Sequence, residues 1–266
     1  MNLIEENLYN YNRLLTDGII DKMRANHNNP LFTALTTNQI KELLTGTQGG
    51  YTNEDSLIWM PTARLQHDTQ KFFLPTQQTD ALGNTTAFEY DTHALFVVKV
   101  TDAENNETLI AHNYKHLQPQ QVIDINQNHT QTAFSPAGLV VAIALKGKQL
   151  PDSSFEGDTL TDPTEMFEYN FHNWQQNQQP NLVVNHKREK HGQFPWQTAK
   201  SQPLGEREGW ISTVVYTDGL GNQTLTKTQA ENGKALTLNN NTLAETTSEI
   251  TNRWAASARA IYNNKG

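Results

Sequence analysis

A chain of 266 residues is long enough to bury a sizeable core, and its formal charge of −8 with a pI near 5.6 gives nucleic acid no general electrostatic attraction. The absence of cysteine excludes disulfides, thiolate nucleophiles and cysteine metal sites. Only 36% of residues are apolar and 18% charged, so the low mean hydropathy of −0.68 comes from uncharged polar side chains, among them 28 Asn and 21 Gln, the profile of strands and turns at a half-wet surface.

The N-terminus "MNLIEENLYNYNRLL" has no basic start followed by an apolar stretch and no small-residue cleavage site, so no signal peptide is expected, and no window is apolar enough to cross a membrane as a helix. Residues 1–46 read as helical. Leu3, Ile4, Leu8, Tyr11, Leu15, Ile19 and Met23 recur at helical spacing, Asn28, Asn29 and Pro30 break the run, and "TTNQIKELLTG" forms a second short helix. After Gly49 and Gly50 the pattern changes to short runs rich in Thr, Val, Phe and Tyr. Five segments follow from this: 1–46 helical, 47–75 connecting β, 76–150 repeats, 151–205 an acidic loop with intervening strands, and 206–266 a terminal hairpin with an edge strand.

An internal period is the strongest signal. Asp80, Asp102 and Asp124 lie 22 residues apart, as do Asn84, Asn106 and Asn128, and Leu95, Leu117 and Leu139. Tyr90, His112 and Phe134 form a further column, followed by Asp91, Asn113 and Ser135. An Asp opening a tight turn accepts bonds from nearby backbone N–H groups, and a Gly at the fourth position relieves the left-handed conformation such hairpins need. "DALG", ending at Gly83, fits; Asn105 substitutes tolerably, whereas Gln127 is a poor substitute and is expected to reshape the third turn. Each unit then holds a strand (Thr85 to Glu89), a second turn at "YDTHA" and a strand from Leu95 to Val100, with Tyr90, Leu95, Leu117, Phe134 and Leu139 as the expected repeat core. A hairpin alone is marginal, so successive units must stack. The single leucine column argues against a leucine-rich repeat.

The run "LVVAIAL", residues 139–145, is apolar on both faces and predicts a strand covered on both sides. "LPDSSFEGDTLTD" carries Asp152, Glu156, Asp158 and Asp162 and reads as an exposed acidic loop. The turn returns at Asp218, Gly221 and Asn222, joining strands Trp210 to Tyr216 and Gln223 to Gln229. Asn-x-Thr at Asn84, Asn106, Asn128, Asn222 and Asn240 is explained as a turn-ending Asn before a Thr-rich strand rather than as glycosylation. His186 and His191 flank "KREK" without the spacing of a zinc helix, and neither a nucleophile elbow nor a phosphate-cradling loop is found. No catalytic residue, metal site or cofactor is therefore assigned.

"IKELLTGTQGGYTNEDSLIWMPTAR", "YDTHALFVVKVTDAENNETL" with its continuation to "KGK", "REKHG", "YTDGLGNQTLTKTQAE" and "RWAASARAIYNNKG" occur in succession from about residue 40 to the end. Together these blocks resemble the B subunits of bacterial insecticidal toxin complexes, the Tc toxins, in their RHS (YD) repeat region. Ala256 and Ala258 stand where that pattern usually has glycine, and Asn105 and Gln127 replace turn glycines. The resemblance implies a mainly β fold of antiparallel RHS/YD-repeat hairpins in a curved, spiralling sheet with a short helical N-terminal segment. It implies an interior slice of a secreted, non-enzymatic shell enclosing a cytotoxic polypeptide. The implied partners are the remainder of the B subunit, a C subunit carrying the toxic domain and, indirectly, the pore-forming A subunit, with no nucleic acid and no membrane insertion by this segment. Rival readings are a free-standing carbohydrate- or surface-binding β module, with Trp174, Trp196 and Trp210 stacking on sugars, and a hydrolase whose site is invisible in sequence.

Overall fold

The computed structural model describes residues 11–46, 49–54, 57–61, 63–80, 82–239, 242–257 and 259–262. Leu3, Ile4, Leu8, Asn240 and Ala258 lie outside the described residues. The fold is mainly β, an open antiparallel sheet with a few short helices. It divides into two compact units between Ile110 and Ala111.

The first unit begins with β1 (Tyr11–Leu15), α1 (Asp17–Ala25), α2 (Pro30–Thr33), α3 (Thr37–Thr45), β2 (Thr52–Glu54) and β3 (Leu57–Pro61). Tyr11 to Leu15 is therefore a strand, not the helix that the spacing predicts. It pairs antiparallel with β3, Leu15 opposite Ile58, a partner more than forty residues away that local periodicity cannot register. Helix α1 starts only after Thr16, and the expected face is rotated by one residue: Ile20 is buried while Ile19 and Met23 are exposed. Pro30 opens a one-turn helix, capped by the Asn29 side chain accepting from the Leu31 N–H, instead of merely separating two helices. Thr36 and Gln39 form a reciprocal capping box at the start of α3, where a helix is expected. Ile20, Ile40 and Ile58 close a small core with Leu15, Phe32, Leu35, Leu44 and Tyr51 around it. Each buried isoleucine contributes about 2 kcal/mol.

An antiparallel ladder follows: β4 (Arg64–Asp68), β5 (Leu74–Thr79), β6 (Thr85–Tyr90), β7 (Val97–Thr101) and β8 (Glu107–Asn113), each paired with its chain neighbour, with the unit boundary falling inside β8. The strand expected from Leu95 thus begins two residues later.

The second unit continues with β9 (Gln118–Ile123), β10 (His129–Phe134), β11 (Val140–Gln149), β12 (Phe155–Gly157), β13 (Glu165–Asn170), α4 (Asn173–Asn177), β14 (Asn181–Arg188), α5 (Trp196–Ala199), β15 (Trp210–Thr217), β16 (Gln223–Ala230), β17 (Leu236–Asn239), β18 (Thr242–Glu245) and β19 (Arg253–Ala256). Its sheet runs β9-β10-β11-β13-β14-β15-β16-β19, with β12 beside β11 and the β17-β18 hairpin as a separate pair. On β11 only one face is fully covered. Ala142 and Ala144 are buried, whereas Ile143 is half-buried and Leu145 exposed, so the run is not the doubly covered strand its composition predicts. The core sits under the long connection from β14 to β15, where Trp196, Ala199 and Trp210 pack with Met166 and Phe194.

Candidate functional site

The 22-residue columns are one turn made repeatedly. Asp80 Oδ1 accepts from the N–H groups of Leu82 (2.9 Å) and Asn84 (2.8 Å), and its Oδ2 accepts from Asn84 Nδ2 at 2.8 Å. The Gly83 N–H closes the turn on the Asp80 carbonyl at 3.2 Å. Asp102 holds Glu104, Asn106 and the Asn106 amide at 2.9 Å each. Asp124 holds Asn126 at 2.8 Å, Asn128 at 2.9 Å and the Asn128 amide at 3.0 Å. Asp218 does the same with Leu220 (2.9 Å), Asn222 (2.8 Å) and the Asn222 amide (3.0 Å), ahead of Gly221. In each, the residue before the Asn takes the left-handed conformation: φ is 88° at Gly83, 62° at Asn105, 64° at Gln127 and 87° at Gly221.

Gln127 therefore does not reshape the third turn. Three bonds to one carboxylate outweigh the cost of a side chain at positive φ, on the order of 1–2 kcal/mol. The partner Asn side chain, followed by backbone N–H bonds, holds the carboxyls of Asp102 and Asp124 below the ordinary aspartate value, and the Asn side chain is again the largest cause at Asp80 and Asp218. Because hairpins alternate ends along a meander, the Asp218 turn stands at the opposite end of the second unit's sheet from the Asp124 turn.

The second set of turns corrects the expected core. Leu95 and Leu117 are 63% and 65% exposed. Both lie inside turns: the Leu95 N–H donates to Asp91 Oδ1 at 2.8 Å, and Leu117, at φ 54°, closes on the Asn113 carbonyl at 2.8 Å. Both lie just ahead of a strand, β7 and Gln118–Ile123 respectively, with their side chains mostly in solvent. Leu139 is half-buried and its N–H donates to Ser135 Oγ at 3.1 Å. Tyr90 is half-buried and its hydroxyl donates to the Pro75 carbonyl at 2.9 Å, and the Phe134 ring lies 5.5 Å from that of His116.

A different construction occupies the β14–β15 connection, and the sequence reading missed it. Arg188 has a fully buried side chain that donates to the carbonyls of Pro163 (3.1 Å) and Gln193 (2.9 Å) and to Asp162 Oδ1, with Asp158 Oδ1 at 3.6 Å. Its guanidinium lies 4.8 Å from the Trp210 ring centre. Asp158, also buried, accepts from Thr164 Oγ1 at 2.8 Å and the Gly192 N–H at 2.9 Å, with His191 Nδ1 at 2.6 Å. Partial burial raises the Asp162 carboxyl, but the Arg188 guanidinium and the Trp196 N–H outweigh it and leave the group below its ordinary value. The stretch read as an exposed acidic loop thus splits: Asp152 and Glu156 are exposed, whereas Asp158 and Asp162 fasten the 189–196 stretch to the sheet. Trp196 and Trp210, expected as exposed sugar platforms, are 4% and 1% exposed and meet edge-on at 5.0 Å. No local signal identifies this cluster, because Arg188 and its acidic partners are 26 and 30 residues apart in sequence.

Beside it, His186 Nδ1 lies 2.9 Å from Ser212 Oγ and His186 Nε2 lies 3.4 Å from Glu168 Oε2, a Ser-His-Glu succession. The chemistry of an activated nucleophile does not follow. Arg207 can only donate, and its Nη1 stands 2.7 Å from His186 Nε2 and 3.2 Å from Nδ1, so a fixed cation faces both ring nitrogens. Ser212 and His186 are both at 0% exposure, out of reach of a substrate. Among the described residues no group of three or more His, Cys, Asp or Glu is arranged to hold a metal, and no helix is long and apolar enough to cross a membrane.

No protein-family model matches the chain, and no curated protein does. Solved structures match closely in shape. The TcdB2-TccC3 crystal structure superposes with a TM-score of 0.66 at 18% identity, over 97% of this chain. The chain has the fold seen in Tc toxins. TcdB2-TccC3-Cdc42 gives a TM-score of 0.63 at 16% identity, and the Photorhabdus luminescens Tc holotoxin pore gives 0.61 at 15%, each over 97% of this chain. The chain spans 13% of the length of the TcdB2-TccC3 chain and 15% of the other two. The Tc resemblance drawn from the ordered sequence blocks is thus met at the level of fold.

Proposed function

We propose that this chain is a structural, non-enzymatic segment of a Tc toxin B subunit, part of an RHS-repeat shell that encloses a cytotoxic polypeptide for delivery. The observation that carries this reading is the match of 97% of the chain to part of a much longer Tc toxin chain. The recurring Asp-closed hairpins support it, since they give a sheet that can be extended unit by unit. On this reading the partners are the rest of the B subunit and a C subunit, with the pore-forming A subunit engaged indirectly, no cofactor is needed, and the assembly acts outside the producing cell.

The test is to co-express the chain with the coding sequence that flanks it and a C subunit, and to digest the product with protease. Protection of the C subunit's terminal polypeptide, lost when this segment is deleted, is the expected result. Flanking sequence that encodes no further Tyr-Asp repeats, with no partner toxin gene nearby, contradicts the reading. Among the described residues the outermost strand of the second unit's sheet is β19, which pairs on one side with β16 and has no partner on its other edge. The chain alone is accordingly expected to self-associate at micromolar concentration; a stable monomer in sedimentation contradicts this. The carbohydrate-module reading keeps Trp174, which is 58% exposed, but loses the other two platforms to the core.

A further inference from the structure

At the Asp218 end of the second unit, a cleft of about 840 Å3 opens between α4 and residues 259–262, above the ends of β15 and β16. Phe171, Trp174, Tyr216 and Tyr262 line it with ring surface, and Ile261 adds an aliphatic wall that is 84% exposed. Both walls are anchored. The Asn173 amide at the start of α4 donates to the Pro180 carbonyl at 2.7 Å. On the other side the Ala260 N–H donates to the Thr224 carbonyl and the Tyr262 hydroxyl to the Gln223 carbonyl, both at 2.8 Å. The cleft is a built feature and not a gap between loose ends.

Its electrostatics oppose those of the chain. The protein carries a formal charge of −8, yet the charged groups that face the cleft are Lys227, Arg259 and Asp218. Asp218 is already engaged, both of its oxygens accepting bonds within its own turn. Lys227 lies 5.4 Å from the Tyr216 ring centre and, like Arg259, meets no carboxylate among the described residues. Two cations against the single carboxylate of Asp218, beside exposed aromatic and aliphatic walls, are the features of a protein-recognition hot spot, in which Trp, Tyr and Arg dominate.

We infer that this cleft docks an acidic amphipathic peptide segment of a partner protein, its apolar side chains against Trp174 and Ile261 and its carboxylates against Lys227 and Arg259. The inference is independent of the shell reading, because it concerns what one end of the sheet binds, whatever the sheet encloses. The test is fluorescence anisotropy of the whole chain with a labelled peptide of alternating Glu and Phe or Leu, alongside its Lys-for-Glu counterpart and an acidic oligosaccharide. Micromolar binding of the acidic peptide is expected, weakened about tenfold by Trp174→Ala and weakened further by raised salt. The double variant Lys227→Glu with Arg259→Glu should lose the acidic peptide and gain the basic one, which shows the variant is folded. Absent binding, equal binding of the basic peptide by the natural chain, preference for the oligosaccharide, or indifference to the charge reversal each overturns the inference.

Discussion

The repeat turns and the Arg188 cluster solve the same problem, fixing chain reversals onto a sheet, by opposite means. At Asp80, Asp102, Asp124 and Asp218 one exposed or half-buried carboxylate closes a loop on residues within four positions of itself. At Arg188 a buried cation gathers two carboxylates and two carbonyls from segments 5 to 30 residues away. The first device is modular and tolerates substitution. The second ties several distant segments together through one side chain.

The largest effect should come from the buried device. Arg188→Met leaves Asp158 and Asp162 without their cation in a site where the arginine side chain is wholly covered, and should cost about 3–5 kcal/mol by urea unfolding. A loss below about 1 kcal/mol would show that the cluster is no keystone.

Turn substitutions should do less. Gly83 is at φ 88° with open space around it, so Gly83→Ala should cost about 1 kcal/mol through backbone strain alone. Gln127→Gly, at an equivalent site with φ 64°, should stabilise by a comparable amount. Thermal melts of the two variants should shift in opposite directions; shifts of the same sign would mean that the two turns are not alike. Smallest of all, Leu95→Thr and Leu117→Thr should each change stability by under about 0.5 kcal/mol, since both side chains are mostly in solvent. A loss of about 2 kcal/mol would restore them to a core.

These contrasts explain what the sequence made legible. The period was readable because an Asp-closed turn is local: its donors lie two and four residues on, so a fixed residue must recur at fixed spacing. The leucine column was equally visible, but periodicity reports equivalence and not burial, and Leu95 and Leu117 are equivalent in being exposed. β1 was missed because its pairing with β3 is long-range and its spacing mimics a helix. Asp158, Asp162, Arg188 and the two buried tryptophans were misread for a related reason. Charge and aromaticity describe a side chain, while the fold decides which charge meets it.

The account rests most on the four turns being one structure. The direct measurement is a carbon-detected NMR titration of the Asp80, Asp102, Asp124 and Asp218 carboxyls. Each gains bonds in its ionised form, so each folded-state value should fall below the ordinary 3.8, and the associated stability should be present above that value and be lost as pH falls through the lowered ones. Four depressed titrations agree with the account; any one of them at or above 3.8 contradicts it.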